Sequence, residues 1–306
     1  MTLARLNDLG ARALARVRKS QTVAPLAIAM VVGAGAGCAS LLFRYLILWM
    51  RELFFTGLGE PLERQVGAPY VVLILALGGL IVGLMVKYLA SAAGGQGVSE
   101  VMLAVAYKGG RVPPRATATK ALAAAITIGS GGSAGREGPI IQMGAALGSF
   151  IGQTLGLSDR RISLFVACGV AGGIAATFNA PIAGVMFALE LILARFTSQT
   201  FALVVVASTT ATVVGQALVG DQRAFLIPAY TLHGLDEVPL FALLGVLAAF
   251  AGQAFVRSLY LVETVGEKLR IPPILKPAVG GALTGLVGVW VPGVFGNGFP
   301  EMGEAL

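Results

Sequence analysis

The residues best placed to do chemistry are Arg136 and Glu137, which lie between glycines and a proline in the stretch GSGGSAGREGPIIQMG, residues 129–144. The chain around them is largely apolar. A charged side chain within a membrane segment costs at least ~2.5–3.5 kcal/mol, so such residues usually face a cavity or a partner and mark a pathway. Glu137 is therefore the first candidate for a functional side chain.

The residues around Glu137 favour an anion site at the start of a helix. Pro139 suits the first turn of a helix that we predict over 139–156, because proline needs no amide hydrogen there and its φ is already helical. Gly135 and Gly138 let backbone approach a small ligand closely. The free amides and the positive dipole end of such a helix attract an anion without a full positive charge.

The carboxylate of Glu137 would itself be a tethered anion that competes for this site. Protonation would neutralise the carboxylate and release it, so Glu137 would act both as a gate and as a proton carrier. The structural alternative is an Arg136–Glu137 pair that only closes a loop, since buried ion pairs are often structural.

A second glycine-framed helix start lies at GQGVSE, residues 95–100. Val98 or Ser99 falls near the first turn, and Glu100 lies on it. This helix start can supply a second set of backbone amides from the opposite side. Taken alone it is a weak signal, because glycine-rich helix starts are common.

The composition favours a helical membrane protein. Hydrophobic residues make up 56% of the chain and charged residues 12%, against about 25% charged in ordinary soluble domains. Glycine, at 42 of 306 residues, fits close helix packing in a bilayer. Cys38, Cys168 and the single histidine, His233, cannot form a disulfide framework or a metal site, so we expect no metal and no cofactor.

The charges predict the orientation in the membrane. Basic residues precede the first apolar run, within residues 1–22, and also fill the connection 107–120, whereas Asp221, Asp236 and Glu237 mark the connection 221–237. By the positive-inside rule the N-terminus is cytoplasmic and 221–237 lies outside. A DNA-binding tail at residues 1–20 is disfavoured, and we expect no nucleic-acid partner. The first twenty residues lack the apolar core of a signal peptide, so the first apolar run should act as an anchor.

Apolar runs predict a polytopic all-α protein. Some runs reach the ~20 residues needed to cross a bilayer, whereas shorter ones, including 99–108, predict half-helices that meet inside the membrane. The runs are 23–49, 70–90, 117–129, 139–156, 162–177, 181–195, 200–219, 238–261 and 277–291.

An internal repeat predicts two copies of opposite orientation. GGLIVGL at 78–84 recurs as GGALTGL at 280–286, and GQGVSE at 95–100 recurs as GNGFPE at 296–301. The predicted division is a basic segment 1–22, a first repeat 23–220, an external loop 221–237 and a second, inverted repeat 238–306 that is shorter and looks truncated. Chance similarity between glycine-rich helices is the alternative.

The residues around two enzyme-like motifs argue against an enzyme. Gly129, Gly131 and Ala134 match a dinucleotide-binding pattern, but the preceding KALAAAITI reads as a helix and no βαβ alternation surrounds it. The same stretch also lacks the G-K-[ST] ending that a phosphate-binding loop requires. We therefore expect a protein that is not an enzyme.

GSGGSAGREGPIIQMGAALGS, followed by ACGVAGGIAATFNAPIAGVMFALE at 167–190, resembles the CLC family of chloride channels and proton-coupled anion exchangers. The resemblance implies a CLC-type inverted-repeat membrane domain that moves chloride or similar anions, with protons as a second transported species, in a bilayer. It implies a homodimer through helices matching 181–219. Glu137 matches the gating glutamate, and the implied anion-binding residues are Gly95, Gln96, Gly97, Val98, Gly135, Arg136, Gly138 and Ile140.

Departures from the family pattern bear on mechanism. Gln96 stands where the family has a serine that helps hold the central anion, which leaves the preference among chloride, nitrate and fluoride open. Leu191 stands where proton-coupled members have an internal glutamate. The family's later G-x-F-x-P segment and anion-contacting tyrosine have no counterpart here. Two alternatives therefore stand beside an anion transporter: a truncated, non-conducting fragment, or a different inverted-repeat carrier of small solutes.

Overall fold

The computed structural model describes residues 23–89, 97–193, 197–221, 234, 237–298 and 302–303, and in this part of the chain the regular structure is helical throughout. The helices are α1 Val23–Arg51, α2 Glu60–Val66, α3 Tyr70–Leu89, α4 Gly97–Tyr107, α5 Pro114–Gly129, α6 Glu137–Thr154, α7 Asp159–Phe178, α8 Pro181–Phe187, α9 Ser198–Val219, α10 Val238–Lys268 and α11 Lys276–Trp290. Most of the predicted external loop 221–237 and the basic segment 1–22 lie outside the described residues.

Each predicted apolar run lies in a helix, with boundaries that differ by a few residues. The first run is the largest exception, because α1 continues through a π-helical stretch, Glu52–Gly59, into α2 and makes 44 helical residues in all. Gly67, with φ of 73°, ends this element. The predicted run ends before the charged pair Arg51 and Glu52, although the π-helical residues after this pair are mostly apolar.

Five helical segments in the described residues are long and apolar enough to cross a membrane: Val23–Val66, Tyr70–Leu89, Asp159–Phe178, Ser198–Val219 and Val238–Lys268. The apolar segments Gly97–Tyr107 and Pro181–Leu193 are shorter. A helix of 11 residues is only about 16 Å long and cannot span a hydrocarbon core of about 30 Å. This combination of full and partial spans matches the predicted half-helices.

Small residues bring the core helices together. A Cβ added to Gly144 or Gly148 of α6 would collide with backbone of α7, at Gly169 and Phe165. Almost one turn beyond Gly169, a Cβ on Gly172 of α7 would lie 3.1 Å from the Cβ of Ala36 in α1 and 3.2 Å from that of Ala211 in α9. Such close backbone approach is the usual basis of helix association in lipid. The helices α6 and α7 therefore form a rigid support for the loop that precedes α6.

The two copies of the glycine repeat pack against each other and run in opposite directions. An added Cβ on Gly79 would meet the backbone of Pro277, and one on Gly285 would meet the Cα of Val72 at 2.7 Å. Gly79 thus contacts the beginning of α11, whereas Val72, which precedes Gly79 in α3, contacts Gly285 further along α11. The two helices are therefore antiparallel. The inversion predicted from the repeat is present in these two helices.

Gly281→Ala is expected to destabilise this helix pair. Its new methyl group would collide with the carbonyl of Leu75, whereas the neighbouring Gly280 has open space where its Cβ would be. Overpacking of this kind costs about 1–3 kcal/mol. Thermal unfolding of the purified protein should give a lower Tm for Gly281→Ala. The matched Gly280→Ala variant should unfold at or above the wild-type temperature, because alanine is the better helix former; equal effects at the two positions would contradict the close packing.

Candidate anion site

The helix α6 begins at Glu137, two residues before the predicted start, with Arg136 as its N-cap. Pro139 lies in the first turn as expected and has no amide hydrogen. The amide of Ile140 donates to the carbonyl of Arg136 at 3.3 Å, so it belongs to the helix rather than to a ligand. The amides of Glu137 and Gly138 have no acceptor within the helix, since the first turn of a helix leaves its donors unused. These two amides are the donors that α6 offers to an anion.

The Glu137 side chain folds back over the residues that precede its own helix. A Cβ added to Gly135 would collide with the Oε2 atom of Glu137. The carboxylate therefore occupies the space that the missing side chain of Gly135 leaves open, and Glu137 itself is partly buried. The carboxylate therefore lies over the backbone that directly precedes α6.

Arg136 has a different neighbour. Its guanidinium carbon lies 6.0 Å from the centroid of the Phe178 ring, at the last residue of α7. A guanidinium at this distance over an aromatic face is attracted by the ring quadrupole. The contact links the N-cap of α6 to the end of α7.

The start of α4 touches the start of α6. Gly97, the first residue of α4, has φ of 25°, and a Cβ placed on it would lie 2.9 Å from the Cα of Gly138. Only glycines allow two helix starts to approach this closely. Val98 follows in the first turn of α4, and the predicted ligands Gly95 and Gln96 lie outside the described residues. The structure thus brings together Gly97, Val98, Arg136, Glu137 and Gly138.

A third glycine-rich segment, from the second repeat, joins the loop before α6. The amide of Ala134 donates to the carbonyl of Gly296 at 3.1 Å, and the amide of Gly296 donates to the carbonyl of Gly131 at 3.3 Å. Gly296 opens the GNGFPE copy of the repeat. Sequence reasoning identified both segments but not their pairing, which depends on how the two repeats pack.

A polar cluster links the helices behind the two helix starts. Glu100 of α4 forms an ion pair with Lys120 of α5, and its Oε2 accepts a hydrogen bond of 2.6 Å from Nε2 of Gln142 in α6. The charged side chains are only 18% and 22% exposed, and Gln142 is buried. Sequence analysis missed this cluster. The sequence features that could have revealed it are a lysine inside a short apolar run and a glutamate on a predicted half-helix.

A family model described as voltage gated chloride channel matches residues 78–306, which is most of the chain. The chain belongs to the voltage-gated chloride channel family. It is 30% identical over 281 residues to a putative chloride channel protein ClcB-like from Ralstonia nicotianae, with 90% of the chain and 65% of that protein aligned. It is also 30% identical over 297 residues to the H(+)/Cl(−) exchange transporter ClcA of Vibrio parahaemolyticus, covering 92% of the chain and 62% of the transporter.

The fold agrees with this family. A slow cyanobacterial Cl−/H+ antiporter of known structure superposes with a TM-score of 0.78 at 23% identity, over 92% of the chain and 67% of the antiporter. The predicted family and the predicted polytopic all-α, inverted-repeat membrane fold are confirmed. The chain spans about two thirds of the length of the two bacterial relatives.

Asn179, Glu190 and Leu191 belong to the motif at 167–190 or follow it directly. Asn179 adopts a left-handed conformation, φ 53°, that ends α7, and its side chain binds Asp221 and Gln216. It shapes the helix break before Pro181. Glu190 and Leu191 are exposed. Among the described residues no group of three His, Cys, Asp or Glu side chains is placed to hold a metal ion.

Proposed function

We propose that the chain moves chloride or a similar small anion across a membrane, along a path between the starts of α4 and α6. The observation that carries the proposal is the contact of Gly97 with Gly138, which places two helix starts at one point inside the helical bundle. The family membership and the bacterial relatives named as chloride transport proteins support it.

The electrostatics favour an anion at this point. Each helix start carries a partial positive charge of about half an elementary charge. The unused amides of Glu137 and Gly138 supply directed donors, and broken helices of this kind bind anions near the midplane of transporters. When the Glu137 carboxylate is displaced, the two helix starts offer N–H donors and positive dipole ends, which favour an anion over a cation.

Glu137 is the proposed gate. Its carboxylate lies over Gly135 at the entrance to α6, where an anion approaching the amides would have to replace it. Protonation removes the negative charge and with it the attraction to the amides, so the gate opens as protons bind. The same step carries a proton, which links anion movement to pH.

Further parts of the proposal rest on the sequence. Gln96 would donate a hydrogen bond to the anion from the α4 side through its side-chain amide. At position 191 the resemblance implies an internal glutamate that accepts a proton, but this chain has a leucine, which cannot. The N-terminus is proposed to be cytoplasmic.

A second copy of the chain is proposed to pair with the apolar surface of α8 and α9. On this surface Ile182 is 78% exposed and Leu218 is 62% exposed.

Chloride efflux from liposomes tests the function. The purified chain is reconstituted into liposomes loaded with potassium chloride. When a potassium ionophore lets the counter-ion leave, these liposomes are expected to release chloride faster than protein-free liposomes with the same ionophore, and without the ionophore potassium should stay inside. A chloride electrode and a potassium electrode record the two ions. Efflux equal to the protein-free control, from protein shown to be folded and inserted, would instead support a non-conducting fragment, and loss of neutral solutes would support a different carrier.

A further inference from the structure

A separate cavity of about 1050 Å³ opens at the other end of α4 from the anion site. Val105 and Ala106 line it, about 12 Å along the helix from Gly97. The starts of α1, α7 and α9 form most of the remaining walls, and Leu157, Ile192 and Leu193 complete them. The cavity is therefore distinct from the path proposed between α4 and α6.

The rim of this cavity is polar and positively charged. The residues at the starts of α7 and α9 that line it are Ser158, Arg160, Arg161, Thr197, Gln199 and Thr200. No aspartate or glutamate lies among the described lining residues. The neighbouring carboxylate of Asp159 already forms an ion pair with Arg111 at 3.2 Å, and the positive dipole ends of α7 and α9 add to the field. The rim is complementary to an anionic group.

The floor is apolar. Leu164 and Phe165 lie one to two turns into α7, Leu203 lies on the second turn of α9, and Pro25 and Ile28 come from the first turns of α1. Apart from Ser163, the polar lining residues thus cluster at the starts of α7 and α9, whereas apolar residues supply most of the other lining. A free inorganic anion would satisfy only the rim, whereas an amphiphile with an anionic headgroup satisfies both parts.

We propose that this cavity binds an anionic phospholipid, with the phosphate at Arg160 and Arg161 and the upper acyl chain on the apolar floor. Its location supports a lipid source, because it lies at the ends of membrane helices beside the basic connection that contains Lys108, Arg111 and Arg115. Basic pockets between membrane helices on the cytoplasmic side bind anionic headgroups. The proposal does not depend on whether the chain transports anions.

Native mass spectrometry of the full chain in a neutral detergent tests the binding. The probes are phosphatidylglycerol, phosphatidylcholine of the same acyl chains, and inorganic phosphate. Phosphatidylglycerol is expected to bind more tightly than phosphatidylcholine, and excess phosphate should not displace it. Each of Arg160→Gln and Arg161→Gln should weaken phosphatidylglycerol binding about fivefold, since one basic residue near a lipid surface contributes about 1 kcal/mol.

Matched variants separate a site from general charge attraction. Arg160→Lys should keep most of the binding, and Leu164→Trp should weaken it by filling the floor while leaving the charges in place. Arg64→Gln, a change of an exposed arginine on α2, should leave binding unchanged. Equal binding of the two lipids, displacement by phosphate, or the same loss in Arg64→Gln as in Arg160→Gln would overturn the proposal. Arg160 is exposed, so its substitution tests the site even if Arg161→Gln fails to fold.

Discussion

Anion efflux through the Glu137→Gln variant is expected to lose its dependence on pH and to run at neutral pH at the rate that the wild-type chain reaches only in acid. Glutamine has nearly the shape of the protonated carboxyl group and cannot ionise, so the gate would stay in its released form. An amide also removes the charge that competes with the transported anion. If the deprotonated carboxylate blocks most of the path, the rate at neutral pH should rise by about tenfold, which corresponds to about 1.4 kcal/mol of relieved competition.

Chloride efflux from liposomes at acidic and neutral pH measures this effect, and two further variants locate its cause. Glu60→Gln removes an exposed carboxylate on α2 and should keep the wild-type pH profile. Gly135→Ala keeps the Glu137 carboxylate but fills the space that it occupies, so it should alter the rate while efflux still responds to pH. A pH profile that persists in Glu137→Gln would show that another group carries the proton, and the gate assignment would fail.

The parts of this molecule that the sequence predicts are those set by local chemistry. The apolar runs give the helices, because hydrophobic length and glycine or proline breaks are sequence properties. The first turn at Pro139 and the break at Asn179 and Pro181 follow from backbone preferences of single residues. The position of Glu137 at a helix start follows from the same reasoning.

The parts that the sequence did not predict depend on packing between distant segments. The pairing of Gly296 with Gly131 and Ala134 requires the two repeats to be docked. Glu100, Lys120 and Gln142 are far apart in sequence and carry no recognisable spacing, yet they meet because α4, α5 and α6 converge. The π-helical continuation of α1 was missed because the charged pair Arg51 and Glu52 interrupts the apolar run, although the residues that follow are mostly apolar. In the first two cases the determining interaction is tertiary.

Lys120→Met is expected to destabilise the fold on the order of 2 kcal/mol, somewhat below the roughly 3–5 kcal/mol found when one partner of a fully buried pair is removed. The smaller value reflects the 18% and 22% exposure of the Lys120 and Glu100 side chains. The variant leaves the Glu100 carboxylate with Gln142 as its partner and no neutralising charge. Because this cluster joins α4 to α6, its loss should also loosen the contact of Gly97 with Gly138 and lower anion efflux.

The double variant Glu100→Gln with Lys120→Met separates charge balance from helix positioning. It removes both charges, so no uncompensated carboxylate remains, and thermal unfolding should recover most of the stability lost in Lys120→Met. Arg64→Gln, which breaks an exposed pair with Glu60 at 3.9 Å, should change stability by less than about 1 kcal/mol. The loss of stability in the double variant is compared with the summed losses of the single variants Glu100→Gln and Lys120→Met. If the two values are equal, the two side chains act independently, and the cluster does not hold the two helix starts together.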